Sequence, residues 1–213
     1  MDLPRPRPSR VVLDGRYARL EPLALSHAEQ LLVASLAPAS FTYLFDIAPK
    51  DIGDMRAWIS RFLAIEDTLF HTVIAKASGN AGGRQSLMRI VPEHGVIEIG
   101  NILWGPAIAR TRVASEALFL AARYVFDELG YRRFEWKCND LNQPSKAAAK
   151  RFGFTFEGIF RQHMWIKGES RDTAWFAMID RDWPRIRAAY ERWLDPSNFD
   201  AAGRQRARLA AAA

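Results

Sequence analysis

Residues 98–154 read EIGNILWGPAIARTRVASEALFLAARYVFDELGYRRFEWKCNDLNQPSKAAAKRFGF, and this stretch decides the fold. It alternates between segments with apolar periodicity and short polar or glycine-containing connections. Gly130 and Pro144 mark two boundaries, because glycine commonly follows the end of a helix and proline fits a first helical turn. The elements that these patterns predict are a buried strand over 96–104, an amphipathic helix over 111–129, an alternating strand over 132–138 and a short helix over 142–152.

Working outward, the flanking sequence predicts further strands and helices that complete one domain around this unit. Ser26, with Glu29 three residues later, has the pattern of a capping box at the start of the first helix. Two strands on either side of a long helix favour a parallel pair, and the overall order indicates a mixed α/β fold. The flanking elements are strands over 15–22, 70–77, 85–91, 154–167 and 171–180, and helices over 26–36, 51–65 and 182–194.

The length and composition are those of a globular protein. The chain has 213 residues, of which 49% are hydrophobic and 25% charged, enough apolar side chains for a sizeable core. The two ends differ from the rest in composition. We therefore expect a disordered Pro/Arg-rich arm over 1–10, a single domain over 11–198 and a disordered Ala/Arg-rich tail over 199–213.

The positive charge is concentrated at the two ends of the chain. The formal net charge is +6, and residues 1–10 and 199–213 each carry a net +2, which leaves +2 on the remaining body. Basic tails are usually solvated, and a nearly neutral body argues against nucleic acid as the partner. It remains compatible with a small anionic ligand.

Cysteine and histidine usage gives a second set of expectations. Cys138 is the single cysteine, so no disulfide forms within the chain, which is typical of a cytoplasmic protein, and we expect a small buried hydrophobic residue there. The N-terminal residues lack the apolar region of a secretory signal, and no apolar run is long enough for a membrane span. No metal site is predicted, because the histidines are scattered without metal-ligand spacing; they are His27, His71, His94 and His163.

The connection before the long predicted helix is a candidate anion site. A helix start exposes unpaired N–H groups and about half a positive charge, and phosphates bind well there. Arg110 and Arg112 add formal charge, and Thr111 offers a hydroxyl or a helix cap. The alternative is an ordinary connection with solvated arginines. The sequence lacks the GxxxxGK[ST] pattern of a nucleoside-triphosphate P-loop. It also lacks the GxGxxG pattern, which argues against a dinucleotide site.

Four short motifs around this connection belong together. They are Glu98-Ile99-Gly100, Ser115-Glu116-Ala117, the run 134–138 followed by Asn142 and Ser145, and Gly153-Phe154 followed by Glu157-Gly158. On these motifs, residues 16–183 resemble the GCN5-related N-acetyltransferase (GNAT) superfamily, in its ribosomal-protein alanine acetyltransferase (RimJ/RimL-like) branch. The resemblance implies the acyl-CoA N-acyltransferase fold, an α/β fold with a central, mostly antiparallel mixed sheet flanked by helices.

The resemblance also implies a site for acetyl-CoA as cosubstrate. One departure from the family pattern lies in its phosphate loop, where Arg112 stands in place of the first glycine. Binding through backbone N–H groups survives this change if the φ of Arg112 stays negative, and its charge can contact a phosphate. The implied cofactor-binding residues are Ile102, Leu103, Trp104, Arg110, Thr111, Arg112, Val113, Ala114, Ser115, Asn142 and Lys146.

Two catalytic residues are implied by the resemblance. Glu98 matches the carboxylate that acts as base, directly or through water; the alternative is a strand-start carboxylate paired with a neighbouring arginine. Ser145 matches the acid that protonates the leaving thiolate; the alternative is a helix-capping hydroxyl. The tyrosine that many relatives use as acid is replaced by Ala149. Asn142 would hold the pantetheine arm or brace the turn before its helix.

The implied activity is acetyl transfer to a primary amine, either a protein N-terminus or a small molecule, by direct attack in a ternary complex. The alternative is a CoA-binding regulatory or interaction module without catalysis. A homodimer is a further expectation from the family. We expect the acceptor pocket to be built from residues 41–49, the second helix and residues 160–167. For His163, a surface or packing role is favoured over a place in this pocket. Arg171 and Asp172 are expected to form a structural pair.

Overall fold

The computed structural model describes residues 3–211, and within them the chain forms one eight-stranded sheet with helices on its faces. The strands are β1 (Leu13–Asp14), β2 (Ala18–Pro22), β3 (Thr68–Ala75), β4 (Asn80–Val91), β5 (Val96–Trp104), β6 (Arg133–Asn139), β7 (Thr155–Ile166) and β8 (Glu169–Ile179). The helices are α1 (Ala28–Ala34), α2 (Ile52–Leu63), α3 (Arg112–Arg123), α4 (Gln143–Arg151) and α5 (Trp183–Trp193). A π-helical turn, Tyr124–Glu128, prolongs α3.

The sheet order is β1-β2-β3-β4-β5-β6-β8-β7, and its neighbouring strands are antiparallel except for β5 and β6. These two strands are parallel and are connected through α3, as the sequence predicts. The fold class is therefore the predicted one, a mostly antiparallel mixed sheet flanked by helices.

The parallel pair separates halfway along its length. β5 and β6 are paired from Val96 with Arg133 to Ile99 with Trp136, and no pairing continues beyond that point, although β5 runs on to Trp104. Asn101 has a left-handed φ of 51° at the point of separation, and its side-chain amide donates to Ser86 Oγ at 3.1 Å. The outer half of β5 therefore has no strand partner on the β6 side, and a wedge opens between the two strands.

The core forms where α3 crosses the sheet. Nine consecutive residues of α3 from Ala114 to Ala122 are buried, and Phe119 stacks on Tyr190 of α5 with a ring separation of 5.1 Å. Each large apolar side chain buried in this way contributes about 1.5–3 kcal/mol. Gly130 ends the helical run with a φ of 68°, a conformation that glycine adopts without strain and that agrees with its predicted role.

A second contact of α3 fixes the start of β2. The buried carboxylate of Glu116 accepts backbone hydrogen bonds from Arg16 (2.9 Å), Tyr17 (2.5 Å) and Ala18 (2.6 Å). A side chain at Gly15 would collide with this carboxylate, because a Cβ there would lie 2.6 Å from Glu116 Cδ. We call this contact the β2–α3 seam.

Both ends of the chain differ from the predicted disordered segments. In the arm, the N–H of Ser9 donates to Tyr124 Oη at 3.0 Å. In the tail, Phe199 and Leu209 are buried, and Trp193 Nε1 donates to Gln205 Oε1 at 2.9 Å. A few anchoring side chains hold these segments against the domain despite their polar composition. Residues 1, 2, 212 and 213, which belong to the same two predictions, lie outside the described residues.

The predicted capping box at the first helix is wrong. Ser26 lies inside a 3-10 turn, Leu25–His27, and α1 begins only at Ala28, without a side-chain cap. The ring of His27 organises this turn instead, because its Nδ1 accepts from the N–H of Ala24 at 3.2 Å. Within residues 3–211, the helices are too short or too polar to cross a membrane.

Candidate active site

A cavity of about 880 Å³ fills the wedge between β5 and β6. The start of α3, helix α4, part of the loop after α1 and the segment 199–205 complete its walls. Most of the predicted site residues line it: Glu98, Ile102, Leu103, Trp104, Arg110, Thr111, Arg112, Ala114, Ser115, Asn142 and Ser145.

Two predicted site residues do not line the cavity. The N–H of Val113 donates to Thr111 Oγ1 at 3.2 Å, so the helix cap uses this group. Lys146 Nζ lies 2.6 Å from Asp140 Oδ1 and forms an ion pair within its own turn. Val113 differs from the prediction because Thr111, as the N-cap, accepts from its N–H. Lys146 differs because it has an acidic partner close by in the chain.

The start of α3 combines a capped helix with unpaired cations. Thr111 caps the helix and also donates from its hydroxyl to the carbonyl of Ile108 at 2.7 Å. Arg110 has a left-handed φ of 62°, which turns the chain into the helix. The guanidinium of Arg112 lies over the rings of Tyr17 and Phe199, at 4.2 and 5.1 Å from their centroids. Tail residue Phe199 thus braces the arginine that replaces the loop glycine.

Arg151 is a lining residue that sequence reasoning missed. It is partly buried, which lowers its pKa from the ordinary value, and its Nη1 donates to Ser115 Oγ at 3.2 Å. Its guanidinium also lies about equally close to the rings of Phe152 and Trp193. No motif marks this position, because a basic residue in the last turn of α4 is also what the helix dipole favours.

The tail contributes a second set of lining residues that the sequence did not predict. They are Phe199, Gly203, Arg204 and Gln205, and they follow Trp193 of α5 along the same wall. The apolar residue Phe199 was the one sign in the sequence that this segment packs against the domain. The Ala/Arg-rich composition around it predicted disorder instead.

Glu98 lies at the other end of the cavity, within an ion-pair network. Its side chain is 4% exposed, and its carboxylate contacts Arg89 Nη1 at 2.8 Å and Lys137 Nζ at 2.9 Å. Lys137 also pairs with Glu135 at 2.7 Å. Glu98 is therefore paired with an arginine, as one alternative of the sequence analysis expects, and it also faces the cavity.

The network continues away from the cavity and is balanced in charge. Arg133 pairs with Glu135 at 2.7 Å and with Glu157 at 2.6 Å, and these hydrogen bonds, that of Glu157 foremost, raise the pKa of Arg133. Three cations thus face three carboxylates: Arg89, Lys137 and Arg133 against Glu98, Glu135 and Glu157.

Ser145 lies on the first turn of α4 with its hydroxyl held from one side. Trp136 Nε1 donates to Ser145 Oγ at 3.0 Å, and because an indole N–H can only donate, the serine proton is left to point elsewhere. The cap of α4 is Asn142, whose Oδ1 accepts from the N–H of Ser145 at 3.1 Å. The capping alternative for Ser145 is therefore wrong, and Asn142 braces the turn.

Cys138 is buried beside Ser145, and burial raises the pKa of its thiol. A thiol in this state is a poor nucleophile, in agreement with the predicted packing role. His163 lies exposed on the surface of β7, with its Nδ1 3.0 Å from Thr173 Oγ1 and its ring beside Phe160 and Trp175. Within residues 3–211, no cluster of three metal-ligating side chains occurs.

The wall of the cavity near Glu98 differs in part from the predicted acceptor pocket. The loop residues Tyr43, Leu44 and Phe45 line it, as the prediction for 41–49 expects, and Ser40 lies beside them. Neither α2 nor residues 160–167 contribute. Residues 162–165 border a separate, smaller depression instead. The loop is held in place by Asp46, which pairs with Arg84 at 3.1 Å and Arg61 at 3.0 Å.

Arg171 of β8 completes this wall, and the predicted pair with Asp172 does not form. Consecutive residues of a strand point to opposite faces of the sheet, and Asp172 Oδ1 accepts from the N–H of Gln162 at 2.7 Å. Arg171 is 7% exposed, lines the cavity and lies with its guanidinium 5.0 Å from the ring centroid of Phe45.

Comparisons with known proteins agree with this geometry. Residues 18–155 match the family model for the acetyltransferase (GNAT) domain. A GCN5-related N-acetyltransferase from Brucella melitensis is 53% identical, with a TM-score of 0.95 over 97% of this chain and 96% of that one. A probable acetyltransferase (GNAT family) from Chromobacterium violaceum ATCC 12472 is 37% identical, with a TM-score of 0.79 over 84% and 91%.

A more distant similarity is to RimL, the ribosomal L7/L12 alpha-N-protein acetyltransferase. The identity is 21%, with a TM-score of 0.70 over 82% of this chain and 98% of that one, a likeness in fold alone. The curated proteins contain no match to the chain.

Proposed function

Because the chain belongs to the GCN5-related N-acetyltransferase (GNAT) family, we propose that it transfers an acetyl group from acetyl-CoA to a primary amine by direct attack in a ternary complex. The observation that carries this proposal is the separation of β5 from β6 beyond Ile99, next to a helix start rich in cations. The wedge supplies a slot for an extended chain, and the helix start supplies the charge that a phosphate-bearing cosubstrate needs.

The phosphate end of the cosubstrate would lie against Arg110, Arg112 and Arg151. These arginines line the cavity, and none of them has a carboxylate within ion-pair distance among residues 3–211. Cations without an acidic partner, beside the N–H groups of a helix start, fit the phosphate groups of CoA. Residues Ile102, Leu103 and Trp104 would hold the pantetheine arm, because this part of β5 has no strand partner on the β6 side.

The acetyl carbonyl would accept a hydrogen bond from a free backbone N–H of the same part of β5. Such a donor, fixed before the reaction begins, stabilises negative charge that develops on the carbonyl oxygen. In the reaction, the amine nitrogen forms a bond to the carbonyl carbon of the acetyl group, and the carbon–sulfur bond breaks. The amine loses one proton, and the departing thiolate of CoA gains one.

Glu98 is proposed as the base that takes the proton from the amine through water. It faces the cavity, while Arg89 and Lys137 hold its carboxylate in place. Two cations already occupy its carboxylate oxygens, so we assign it the relay through water rather than direct contact with the amine.

Ser145 is proposed as the acid that protonates the thiolate. Its oxygen accepts from Trp136 Nε1, its hydroxyl also contacts the Cys138 side chain, and it lines the cavity on the α4 side, where it can donate to the sulfur. Ser145 on the cavity wall and Ala149 at the position of the usual tyrosine both support a place in the RimJ/RimL-like branch. The acceptor would then be a protein N-terminus or a small amine, and the cytoplasmic location and the homodimer stay predictions.

One observation favours a second candidate, a CoA-binding module without catalysis. Arg112 replaces the loop glycine, and its side chain is engaged by Tyr17 and Phe199 rather than free in the cavity. Catalysis is favoured over this alternative because Glu98 and Ser145 line the same cavity.

A thermal-shift titration with acetyl-CoA, followed by an assay of released CoA thiol over a panel of amines, separates the two. The enzyme predicts a rise in Tm and CoA release with at least one amine. Stabilisation without release over the whole panel would support the module. The absence of any stabilisation would exclude both candidates, and the Arg110→Gln/Arg151→Gln double variant is the matched control for specific binding.

A further inference from the structure

We infer that the acceptor amine carries a carboxylate, which Arg171 binds inside the cavity. This inference rests on the proposed function and names the class of acceptor: a small amine with a nearby carboxylate, of which an amino acid is the simplest case.

The first observation is that Arg171 is buried without a partner. It is 7% exposed, and its Nε is buried with no hydrogen-bond partner in the part of the chain that the structure describes. The guanidinium lines the cavity while its buried Nε lacks an acceptor, and a cation carries a desolvation penalty where no anion is bonded to it. A ligand that supplies an anion would remove this penalty.

The second observation is that the neighbouring acidic side chains are already engaged. Glu98, Glu135 and Glu157 are matched by three other cations. Asp46 pairs with Arg84 and Arg61, and Asp172 accepts from the backbone of Gln162. Residues 3–211 therefore offer no free carboxylate to Arg171 in this region.

The third observation is the shape of the space around the guanidinium. The guanidinium carbon of Arg171 lies over the ring of Phe45, 5.0 Å from its centroid. A guanidinium presents its N–H groups in a planar fork, which matches the two oxygens of a carboxylate. Lys would not reproduce the same bidentate contact.

The fourth observation is that Arg171 lies in the same wall as the proposed base. Arg171, Phe45 and Glu98 all line the end of the cavity away from the start of α3. A carboxylate held by Arg171 would therefore place the amine of a short acceptor on the Glu98 side. A protein N-terminus without a nearby acidic group would leave Arg171 unpaired.

The test compares amino acids with their α-amides, which keep the amine and the side chain but lack the charge. With acetyl-CoA saturating, we expect kcat/KM for CoA release to be about 10- to 100-fold higher for the acid than for its amide, as for a charge-assisted hydrogen bond. This wild-type comparison needs no variant. Equal values for acid and amide would overturn the inference while leaving acetyl transfer intact.

Variants then assign the preference to Arg171. Arg171→Gln should lower kcat/KM for the acid and leave the amide nearly unchanged, and Arg171→Lys should retain part of the preference as a point charge. Arg161→Gln, which removes an exposed arginine of β7, is the matched control and should behave as wild type. An equal loss for acid and amide in Arg171→Gln would show a structural role and overturn the inference.

A binding measurement separates failure of this inference from failure of the proposed function. N-acetyl amino acids and their amides are titrated by thermal shift, which requires no catalysis. Selective stabilisation by the acids in wild type, lost in Arg171→Gln, would support the carboxylate site even if no amine released CoA. Equal stabilisation by acids and amides would count against the site whatever the outcome of the transfer assay.

Discussion

The β2–α3 seam and the wall around Glu98 each bury a carboxylate, but they satisfy it in different ways. Glu116 is held by three backbone N–H groups. Glu98 is held by the side chains of Arg89 and Lys137 and faces a cavity. Backbone donors are fixed by the fold, so the first carboxylate is part of the architecture. Side-chain cations can shift when a ligand arrives, so the second is able to take part in chemistry.

The largest expected effect is on the seam. Glu116→Gln would place an amide NH₂ against backbone N–H donors, and we expect a loss of about 4 kcal/mol in the free energy of unfolding. Urea unfolding measures this loss. Glu128→Gln, in the exposed continuation of the same helix, is the control and should change the free energy by less than about 0.5 kcal/mol. A change in the free energy of unfolding as small as that of the control would contradict the structural role of Glu116.

The next effect concerns His71, another polar group fixed by the fold. Burial lowers its pKa from 6.5 to about 4, and its Nε2 lies 3.2 Å from the carbonyl of Val11. Between these two values the unfolded chain binds a proton that the folded protein excludes, so stability falls as pH decreases from 6.5 to 4, by about 3 kcal/mol in all.

The measurement for His71 is urea unfolding at pH 7.5 and pH 4.5, in wild type and in His71→Gln. Glutamine can still donate to the Val11 carbonyl but does not titrate. The variant should therefore lose a smaller part of its stability on acidification than wild type does. An identical loss in both proteins would assign the pH dependence to other groups.

The next effect, smaller in free energy, is a loss of turnover at Glu98. Glu98→Gln should lower kcat at neutral pH by about 100-fold, or about 2.7 kcal/mol, and leave acetyl-CoA affinity nearly intact. The matched control is Glu157→Gln, which removes a carboxylate of the same ion-pair network outside the cavity. Unchanged turnover of Glu98→Gln with saturating amine would show that Glu98 is as structural as Glu116.

The smallest effect is expected at Ser145. Ser145→Ala should reduce kcat by only about 10-fold, because a thiolate is a good leaving group and departs readily even without an acid. Ser40→Ala, which removes another hydroxyl from the cavity wall, should leave kcat unchanged. The measurement is CoA release at saturating concentrations of both substrates. Equal kcat values for the two variants would argue against the acid assignment.

The sequence predicted the strand–helix–strand core well because its patterns are local. The run that forms β5 and the periodicity of α3 depend on few distant contacts, and the observed elements follow them closely. The wedge between β5 and β6 was seen only in the structure, since no local pattern shows where two strands part. The site positions of Glu98 and Ser145 were obtained through the family resemblance.

Of two errors, one has a local cause and the other depends on distant contacts. Arg171 and Asp172 are adjacent in sequence, but a strand directs them to opposite faces, so their charges do not meet. The tail has the composition of a disordered segment, yet Phe199 is buried against the domain and braces Arg112. Single anchors of this kind leave no periodic signal.

The wall formed by residues 199–205 also affects when the site is completed during folding. Synthesis proceeds from the N-terminus, and domains begin to fold as they emerge. The sheet and α3 are therefore made before the segment that covers Arg112, and a nascent chain that has reached only α5 would hold a cavity open on one side. The same holds for a chain cut after Leu194, in which the sheet would persist while the cosubstrate site lacked one wall.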